Sequence, residues 1–387
     1  MPKLAGVDEL FRPNDYYAID PSGSRIMGNQ PYRTIHQIIK AARAQLDQTY
    51  WDYLIGGTET ETTLRRNRLA IDSLALRPRV LRDVSSIDTT ATFLGESLKI
   101  PCLLAPIGSL QVFESGGGAT AARAAAEFGV ISIASSVCTP RLEEIAMASD
   151  APKIYQLYVR GDSDWVDDTV QRCIDSGFKA FCLTVDTAVV SRRERDIARG
   201  VIPTSQATPG DFSYQAKLNW SDVARIKNKF DIPLVLKGIN RVEDAEQAIE
   251  YGVDVIYISN HGGRQLDQGK GALDLLPDIA QVVAGRAEIA IDGGFYRGTD
   301  IVKAMALGAN AIGLGRLEGW AMAAGGQPVL VNMLSILQQE IRSALALCGV
   351  SGFAELDASF VEAANPVYEP SALSAFPLLD LERDNDY

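Results

Sequence analysis

From about residue 100 onward, short runs of Val, Ile and Leu alternate with stretches that have helical periodicity. Each run is apolar at consecutive positions, which is typical of a strand buried on both faces of a parallel sheet. The eight runs are Cys102–Ala105, Val130–Ala134, Ile154–Tyr158, Ala180–Val185, Pro233–Leu236, Val253–Ile258, Glu288–Ile291 and Ala311–Gly313.

Helical patterns fall between these runs, among them Gly118–Phe128, Trp165–Ser176, Val242–Tyr251 and Gly298–Leu307. Closure into a barrel is the simplest way to bury eight strands that each have a helical crossover. The sequence therefore predicts an α/β fold, the TIM (β/α)8 barrel. The alternative is a doubly wound open sheet, although no GxGxxG motif follows the first strand.

The remaining chain divides around this barrel. Residues 1–33 are predicted to form an N-terminal arm, residues 34–364 the barrel domain, and residues 365–387 a C-terminal tail. Within the barrel domain, 33–54 reads as one amphipathic helix, and 91–100 resembles a hairpin that could plug the bottom of the barrel. The two terminal segments are rich in Pro, Asp and Ser, and we expect extended arms there that act as interface straps or lids.

Composition excludes several classes of protein. The net charge is −12, with no basic stripe to offset it, which argues against nucleic-acid binding. The five cysteines are scattered without metal-binding spacing, so we expect no metal site and reduced thiols in the cytoplasm. No apolar stretch has the length of a membrane span, and the first residues do not resemble a signal peptide. The expected partner is a small molecule.

In barrels of this type the chemistry lies at the C-terminal ends of the strands. The residues that follow the eight predicted strands are therefore the candidates for a site. They are Ala105-Pro106-Ile107-Gly108, Ser135, Gln156 with Tyr158, Thr184 with Asp186, Lys237, Ser259-Asn260-His261, Asp292-Gly293-Gly294 and Gly315-Arg316. We expect these groups to meet at one mouth of the barrel.

The segment Tyr257–Asp267 contains one of only two histidines in the chain. His261 follows a buried strand and precedes Arg264 by three residues, which is typical of a general base beside a carboxylate-binding guanidinium. The alternative is a loop histidine bonded to the backbone. The other histidine, His36, is expected on a helix surface without a role.

The glycines of 292–294, together with Gly315 and Arg316, indicate a phosphate site. Glycines let backbone N–H groups approach an anion, and a guanidinium can bind its oxygens in pairs. The alternative is that the glycines only form tight turns.

Three further charged residues each have two interpretations. Lys237 ends an apolar run and needs an anionic partner, which could be a bound anionic group such as a reduced flavin or the side chain of Asp186. Asp186 could instead orient a histidine or cap a loop. Arg193 could hold a second carboxylate oxygen or belong to a solvated run with Arg192 and Arg195.

Two tyrosines also have two interpretations. Tyr158 and Tyr53 are phenols that could bind a carboxylate or a hydroxyl group. Tyr53, on a helix beside Trp51, is more typical of core packing.

Taken together, these motifs resemble the FMN-dependent 2-hydroxy acid oxidases and dehydrogenases, the group of glycolate oxidase, lactate oxidase and mandelate dehydrogenase. The resemblance covers roughly residues 34–364. Its most specific part is Ser259–Asp267, and the other matching motifs follow in the family's order: Gln156–Tyr158, Leu183–Thr187, Leu236–Gly238 and Asp292–Gly294.

The resemblance implies that the protein binds FMN and oxidises an (S)-2-hydroxy acid to the 2-oxo acid. His261 would be the base, Asp186 its partner, and Arg193 and Arg264 the carboxylate clamp. Tyr53 and Tyr158 would contact the substrate, and Lys237 would lie beside the flavin. FMN would be held by Ala105, Pro106, Ile107, Ser135, Gln156, Thr184, Lys237, Ser259, Asp292, Gly293, Gly294, Arg297, Gly315 and Arg316. Relatives are commonly tetramers or octamers, so a homo-oligomer is expected.

Several positions depart from the family pattern. Val137 stands where glycolate oxidase has a bulky tryptophan, and the segment 187–231 looks shorter than the usual lid. Both changes open the site, which favours a substrate larger than lactate, with an aromatic group such as that of mandelate. Tyr296 stands where many relatives have a phosphate-binding arginine, with Arg297 beside it. Gly108 replaces the alanine of many oxidases, which leaves both oxygen and another electron carrier open as acceptor.

Two other functions remain as alternatives. One is flavin-dependent oxidation of a peptide-derived compound, as in the branch that resembles the mycofactocin maturation enzyme. The other is an FMN-binding barrel without turnover. The intact Arg193–Arg264 pair favours a simple carboxylate over the first, and the complete set of candidate catalytic residues argues against the second.

Overall fold

The computed structural model describes residues 18–19, 25–26, 31–200 and 210–379. Most of the predicted arm (1–33) and the end of the predicted tail (380–387) therefore lie outside the described residues. In the described part of the arm, two short strands pair in antiparallel fashion, β1 (Ala18–Ile19) with β2 (Arg25–Ile26).

The remaining twelve strands form one barrel and two small sheets. They are β3 (Leu74–Leu76), β4 (Ala91–Phe93), β5 (Glu96–Leu98), β6 (Cys102–Leu104), β7 (Ile131–Ser135), β8 (Lys153–Leu157), β9 (Ala180–Thr184), β10 (Leu234–Ile239), β11 (Val255–Ile258), β12 (Glu288–Ile291), β13 (Ala311–Leu314) and β14 (Val361–Ala363).

Helices precede the barrel, connect its strands and follow its last strand. In the described residues they are α1 (Ile35–Gln45), α2 (Gln48–Ile55), α3 (Thr62–Asp72), α4 (Gly117–Phe128), α5 (Leu142–Ala146), α6 (Ser163–Asp175), α7 (Glu194–Ala198), α8 (Ser213–Lys217), α9 (Trp220–Lys229), α10 (Val242–Glu250), α11 (Leu276–Val283), α12 (Gly298–Ala306) and α13 (Arg316–Cys348).

Strands β6 to β13 close into a parallel barrel, in which β13 pairs with β6 and β9 with β10. The predicted (β/α)8 barrel is confirmed, and each predicted run overlaps one of its strands. The largest change is at Pro233–Leu236, where the strand continues to Ile239. Lys237 pairs in register with Thr184 and Tyr257, and the register shifts just after it. The apolar pattern placed the end of this strand at Leu236. In the structure the strand continues, so the charged residue Lys237 lies inside it.

The single helix predicted over 33–54 is wrong. Helix α1 ends at Gln45, and α2 begins after Asp47, whose side chain accepts a hydrogen bond from the Tyr50 N–H at 2.9 Å. Aspartate is favoured at such N-terminal caps because it satisfies a backbone donor that has no partner within the helix. The apolar periodicity continues through the break, so hydrophobic patterning alone does not reveal it.

The predicted hairpin is formed by β4 and β5, which pair in antiparallel register. Phe93 and Leu98 are buried in one apolar cluster with Leu103, Ile131 and other side chains of the barrel interior. The Leu94 N–H donates to the Glu288 carboxylate, at the start of β12, at 2.7 Å. The hairpin thus closes the N-terminal end of the barrel and leaves the chemistry to the other end.

Helix α13 bends at Gly325–Gly326 and packs against α1 and α4. By length and composition alone, the stretch Arg316–Glu355 is long and apolar enough to cross a membrane, but most of its apolar window is buried inside the protein. Its apolar character is that of a core helix.

His36, on α1, is also buried and lies edge-on to Phe376 at 5.3 Å, so its predicted place on the surface is wrong.

Candidate active site

A cavity opens at the C-terminal ends of the barrel strands, where the strand-end residues were expected to meet. Two parts of its lining differ in chemistry. The polar wall is defined by Tyr158, Arg193, Lys237, His261 and Arg264. The apolar wall is defined by Leu54, Ile107, Gly108, Phe113 and Val137.

His261 stands at the centre of a hydrogen-bonded chain. Its Nδ1 lies 3.1 Å and 3.3 Å from the two carboxylate oxygens of Asp186, and its Nε2 lies 3.1 Å from the Tyr158 hydroxyl. Because a carboxylate only accepts, Nδ1 carries the proton and Nε2 is left as an acceptor. The backbone φ of His261 is +59°, a left-handed conformation that is uncommon outside glycine and typical of functional sites.

The environment sets the charge on each member of this chain. Burial lowers the pKa of His261 below its ordinary value, and Asp186 only partly opposes this effect. Burial by itself would raise the pKa of Asp186, but the adjacent His261 and Lys237 hold it below its usual range. Burial raises the pKa of Tyr158. At neutral pH the chain is therefore a neutral imidazole between a carboxylate and an intact phenol.

Close backbone approach allows Asp186 to reach this position. A Cβ at Gly238, which follows Lys237 at the register shift, would lie 2.7 Å from the Asp186 Cβ. Its φ of +115° is also a conformation that other residues rarely adopt. Glycine is needed at this point of β10.

Lys237 is a buried cation held by two neighbouring strands. Its Nζ donates to Ser259 Oγ at 2.8 Å and lies 3.3 Å from Asp292, which in turn accepts from Ser259 Oγ. Burial opposes its charge, but Asp292 and Asp186 raise the pKa of Lys237. The ammonium therefore stays charged at the cavity surface. The charge of Asp186 helps to raise the pKa of Lys237, but the ion pair of Lys237 is formed with Asp292.

Arg264 reaches the cavity beneath Tyr53. Its Nη1 donates to the Tyr53 and Gly56 carbonyls at 2.7 and 3.0 Å, and its guanidinium lies 4.8 Å from the Tyr53 ring. Burial, and then the nearby Arg193, lower its pKa. Arg193 and Arg264 both line the cavity, and two neighbouring guanidinium groups form a site for a carboxylate. Tyr53 lies between the walls, with its hydroxyl bonded to Ser109 at 3.1 Å.

In the apolar wall, Gly108 and Val137 depend on each other. A Cβ at Gly108 would lie 2.7 Å from Val137 Cγ2, closer than such atoms approach. Phe113 adds an aromatic ring 6.2 Å from that of Tyr53. Sequence reasoning identified Gly108 and Val137 but missed Phe113 and Leu54, which do not directly follow a predicted barrel strand.

The glycine-rich end of the cavity is built for close approach by a ligand. Gly293 and Gly294 have φ values of +109° and +86°, and Gly315 has open space where a Cβ would point. Arg316 donates from Nη2 to the Gly56 carbonyl at 2.8 Å. Its Nε is buried and has no hydrogen-bond partner among the described residues. A buried donor of this kind indicates an anionic ligand.

A second set of predicted residues lies behind the lining. Gln156 donates to Thr184 Oγ1 at 2.8 Å, and Gln156 pairs in register with Ser135 on the neighbouring strand. Gln156 Oε1 is buried without a partner in the described part of the chain. Asp186 and Ser259 also lie behind the lining. Asp186 acts through His261, and Ser259 acts through Lys237.

Arg297 lies elsewhere. Its guanidinium is 2.6 Å from Glu340 on α13 and is not part of the cavity lining. Its predicted role in binding the cofactor therefore receives no support from its position, because the carboxylate already engages it. The pairing joins residues 43 positions apart, so sequence spacing does not reveal it. Tyr296, its neighbour, does line the cavity.

Helix α3 supports the site from outside the barrel, and sequence reasoning missed it. Arg68 donates to the Gly294 carbonyl at 2.9 Å and pairs with Asp300 at 2.7 Å. Asp267, the end of the 257–267 segment, accepts from the Thr63 N–H at 2.8 Å. In the described residues, no group of His, Cys, Asp or Glu side chains is arranged to hold a metal ion.

Comparison with known proteins agrees with this geometry. The chain matches the FMN-dependent dehydrogenase family over residues 42–216 and 199–363. It belongs to that family. The protein is thus an FMN-dependent oxidoreductase that acts on the CH–OH group of a 2-hydroxy acid, in agreement with its relatives.

Two curated relatives and one solved structure illustrate the similarity. An L-lactate oxidase of Nostoc sp. is 40% identical over 347 residues, which cover 83% of this chain and 95% of the relative. A peroxisomal (S)-2-hydroxy-acid oxidase of Oryza sativa subsp. japonica is 36% identical, covering 84% of this chain and 95% of the relative. Mandelate oxidase crystallised with (S)-2-phenylpropionate superposes with a TM-score of 0.80 at 34% identity, covering 87% of this chain and all (100%) of that one.

The residues present fit FMN. Among the described residues, Gln156 Oε1 and Arg316 Nε are two of the buried polar atoms without partners, and a flavin ring and a phosphate would satisfy them. Gly293, Gly294 and Gly315 leave room for the phosphate, and Lys237 supplies a fixed positive charge for the ring system.

Proposed function

We propose that the protein oxidises an (S)-2-hydroxy acid larger than lactate, with an aromatic group such as that of mandelate, to the 2-oxo acid. His261 is the base, Asp186 its positioning partner, and Arg193 and Arg264 the clamp for the substrate carboxylate. The observation that carries the assignment is the Asp186–His261–Tyr158 chain beside two guanidinium groups.

Each residue has a defined task. Arg264 is held by the Tyr53 and Gly56 carbonyls, so its remaining N–H donors are available to a carboxylate, which would also offset the mutual repulsion with Arg193. Fixing the carboxylate places the substrate hydroxyl and C2 in reach of His261. A substrate hydroxyl would compete with Tyr158 for Nε2.

Proton transfer to His261 Nε2 creates an imidazolium, which the Asp186 carboxylate at Nδ1 stabilises. FMN, when bound, accepts the two electrons that leave C2. Lys237 keeps a positive charge beside it. The proton comes from C2 in a carbanion route and from the hydroxyl in a hydride route, and His261 serves both.

The apolar wall supports the proposed size of the substrate. Val137 and Gly108 leave space that larger side chains would fill, and Phe113 supplies a ring against which an aromatic group can pack. Similarity to mandelate oxidase supports this choice, whereas the L-lactate oxidase relative represents the smaller alternative.

The test is anaerobic flavin reduction with glycolate, (S)-lactate and (S)-mandelate at equal concentrations. We expect mandelate to bleach the yellow flavin fastest. Fastest reduction by lactate or glycolate would contradict the proposed size, and no reduction by any 2-hydroxy acid would contradict the assigned roles. Oxygen is then admitted to the reduced protein, and the rate of reoxidation decides between oxygen and another electron carrier as acceptor.

The domain boundaries at 33/34 and 364/365, the tetrameric or octameric assembly and the cytoplasmic location remain predictions from the sequence. Light scattering of the purified holoprotein tests the assembly, and fractionation of the producing cell tests the location.

A further inference from the structure

The C-terminal tail contributes a side chain to the interior of the protein. Phe376 is 2% exposed, although it lies beyond the last strand, β14. Its ring lies 5.3 Å from His36, 5.8 Å from Tyr296 and 6.0 Å from Trp320, measured between centroids. These four residues form what we call the aromatic cluster. It joins α1, the loop after β12, α13 and the tail.

The aromatic cluster reaches the cavity through Tyr296. Tyr296 lines the cavity together with Gly293 and Gly294, and its ring is 5.4 Å from that of Trp320. Its backbone N–H donates to the Asp300 carboxylate at 3.0 Å. Tyr296 therefore connects the glycine loop of 292–294 to the start of α12.

The tail also touches the residue after Tyr296. The Arg297 guanidinium lies 5.8 Å from the Phe376 ring while it pairs with Glu340. Phe376 thus packs against two consecutive residues of the same loop. Both are oriented by contacts outside the barrel.

This arrangement matters because, in the glycine loop, only Asp292 has a side chain that its neighbours can hold. Gly293 and Gly294 have no side chains, and glycine loses more conformational freedom on ordering than any other residue. Their order depends on the Arg68 contact with the Gly294 carbonyl and on the residues that follow them in the chain. Packing of Phe376 on Tyr296 restricts the loop at that second end.

We propose that Phe376 is a positioning residue for FMN, and that the C-terminal tail contributes to FMN binding. Phe376 does not line the cavity and acts through Tyr296. The inference rests on FMN binding and not on the identity of the substrate. Because coupling between two binding events is reciprocal, bound FMN should in turn hold the tail against the barrel.

The test is the rate of FMN release from the holoprotein on dilution, followed by the fluorescence of free FMN. Loss of the ring contacts in Phe376→Ala should weaken FMN binding on the order of tenfold, the factor that corresponds to one or two aromatic pair energies. Phe376→Tyr, which keeps the ring, should stay near the wild type. Val367→Ala is the matched control, since Val367 lies in the same tail and is 86% exposed.

A second readout separates positioning from general stability. In the wild type, FMN should slow removal of the tail by carboxypeptidase, and Phe376→Ala should remove that protection. If Phe376→Ala does not fold, Phe376→Leu, which keeps most of the apolar volume, serves in its place. A variant that melts at a lower temperature yet releases FMN at the wild-type rate would show a purely structural role and overturn the proposal.

Discussion

In the polar wall of the cavity, side chains are fixed by hydrogen bonds; in the apolar wall, they are fixed by shape. His261 is held at both ring nitrogens, Lys237 by Ser259 and Asp292, and Arg264 by two carbonyls. Gly108 and Val137 are related only by the room that each leaves the other. We propose that the difference separates two properties of the enzyme: the polar wall determines which reaction occurs, and the apolar wall determines which molecule undergoes it.

The largest effect is expected from removing the base. His261→Gln should keep FMN bound and slow flavin reduction by about 10²- to 10⁴-fold, the usual contribution of general base catalysis. Anaerobic stopped-flow measurement of flavin bleaching reports the rate, and the flavin absorbance before mixing reports retained cofactor. Near-normal bleaching would remove His261 from the role of base.

Asp186→Asn should slow reduction on the order of 10²-fold or more, because the imidazolium and the Nδ1–H tautomer lose their carboxylate. The direction in which the pH profile of kcat/KM shifts provides a second test. The base must be unprotonated, so activity rises with pH through the pKa of His261. Burial places this rise below the ordinary value of 6.5. Removing the negative charge lowers the pKa further, so the acid limb should shift to lower pH; a shift to higher pH would contradict the pairing.

Arg264→Lys tests the clamp. A single ammonium cannot reproduce the paired donors of a guanidinium, so KM should rise roughly tenfold to hundredfold. Steady-state kinetics with the best substrate provide the measurement. Arg241→Lys is the control, since Arg241 forms an exposed pair with Glu243 on the barrel surface. Equal effects of the two changes would place the carboxylate elsewhere.

Gly108→Ala addresses the apolar wall. The added methyl group meets Val137 Cγ2, and overpacking of this kind costs about 1–3 kcal/mol. Reduction by large substrates should fall, and Val137→Ala in the same chain should restore it. Gly352→Ala, where the nearest neighbouring atom is at 3.4 Å, is the matched control. If the double variant is no better than Gly108→Ala alone, the two positions are not coupled.

The smallest effect is expected at helix α7, which begins directly after Arg193. Arg195 on α7 pairs with Glu61 at 2.6 Å and Asp52 at 3.4 Å, but it is partly exposed, which limits such pairs to about 0.2–1 kcal/mol. Arg195→Ala should raise KM by up to about fivefold and leave the rate of flavin reduction at saturation unchanged. Arg192→Ala, in an exposed pair with Glu194, is the control.

The two walls also differ in how well sequence predicts them. The barrel follows from strands that are apolar on both faces, and in such a barrel the residues after each strand must meet. His261, Asp186, Lys237 and Arg264 are therefore placed correctly by pattern alone. Phe113 lies outside the predicted strands and the motifs that follow them, and only the folded backbone brings it beside Tyr53.

Contacts between distant segments limit what the sequence can predict. Arg297 pairs with Glu340, and His36 is buried by Phe376, a residue 340 positions away along the numbered chain. The break between α1 and α2 depends on a single capping carboxylate, Asp47, inside a continuous apolar pattern. The contacts of Arg297 and His36 have no local signal in the sequence, whereas the Asp47 cap has one that the apolar pattern hides.

The separate roles of the two walls, one for the reaction and one for the choice of substrate, are tested most directly by single-turnover flavin reduction. The substrates are (S)-lactate and (S)-mandelate, and the proteins are the wild type and Val137→Trp. We expect the tryptophan to slow reduction by mandelate far more than reduction by lactate, so that the preference between the two substrates falls or reverses. A change by the same factor for both substrates would contradict it, since Val137 would then affect the chemistry rather than the choice of molecule.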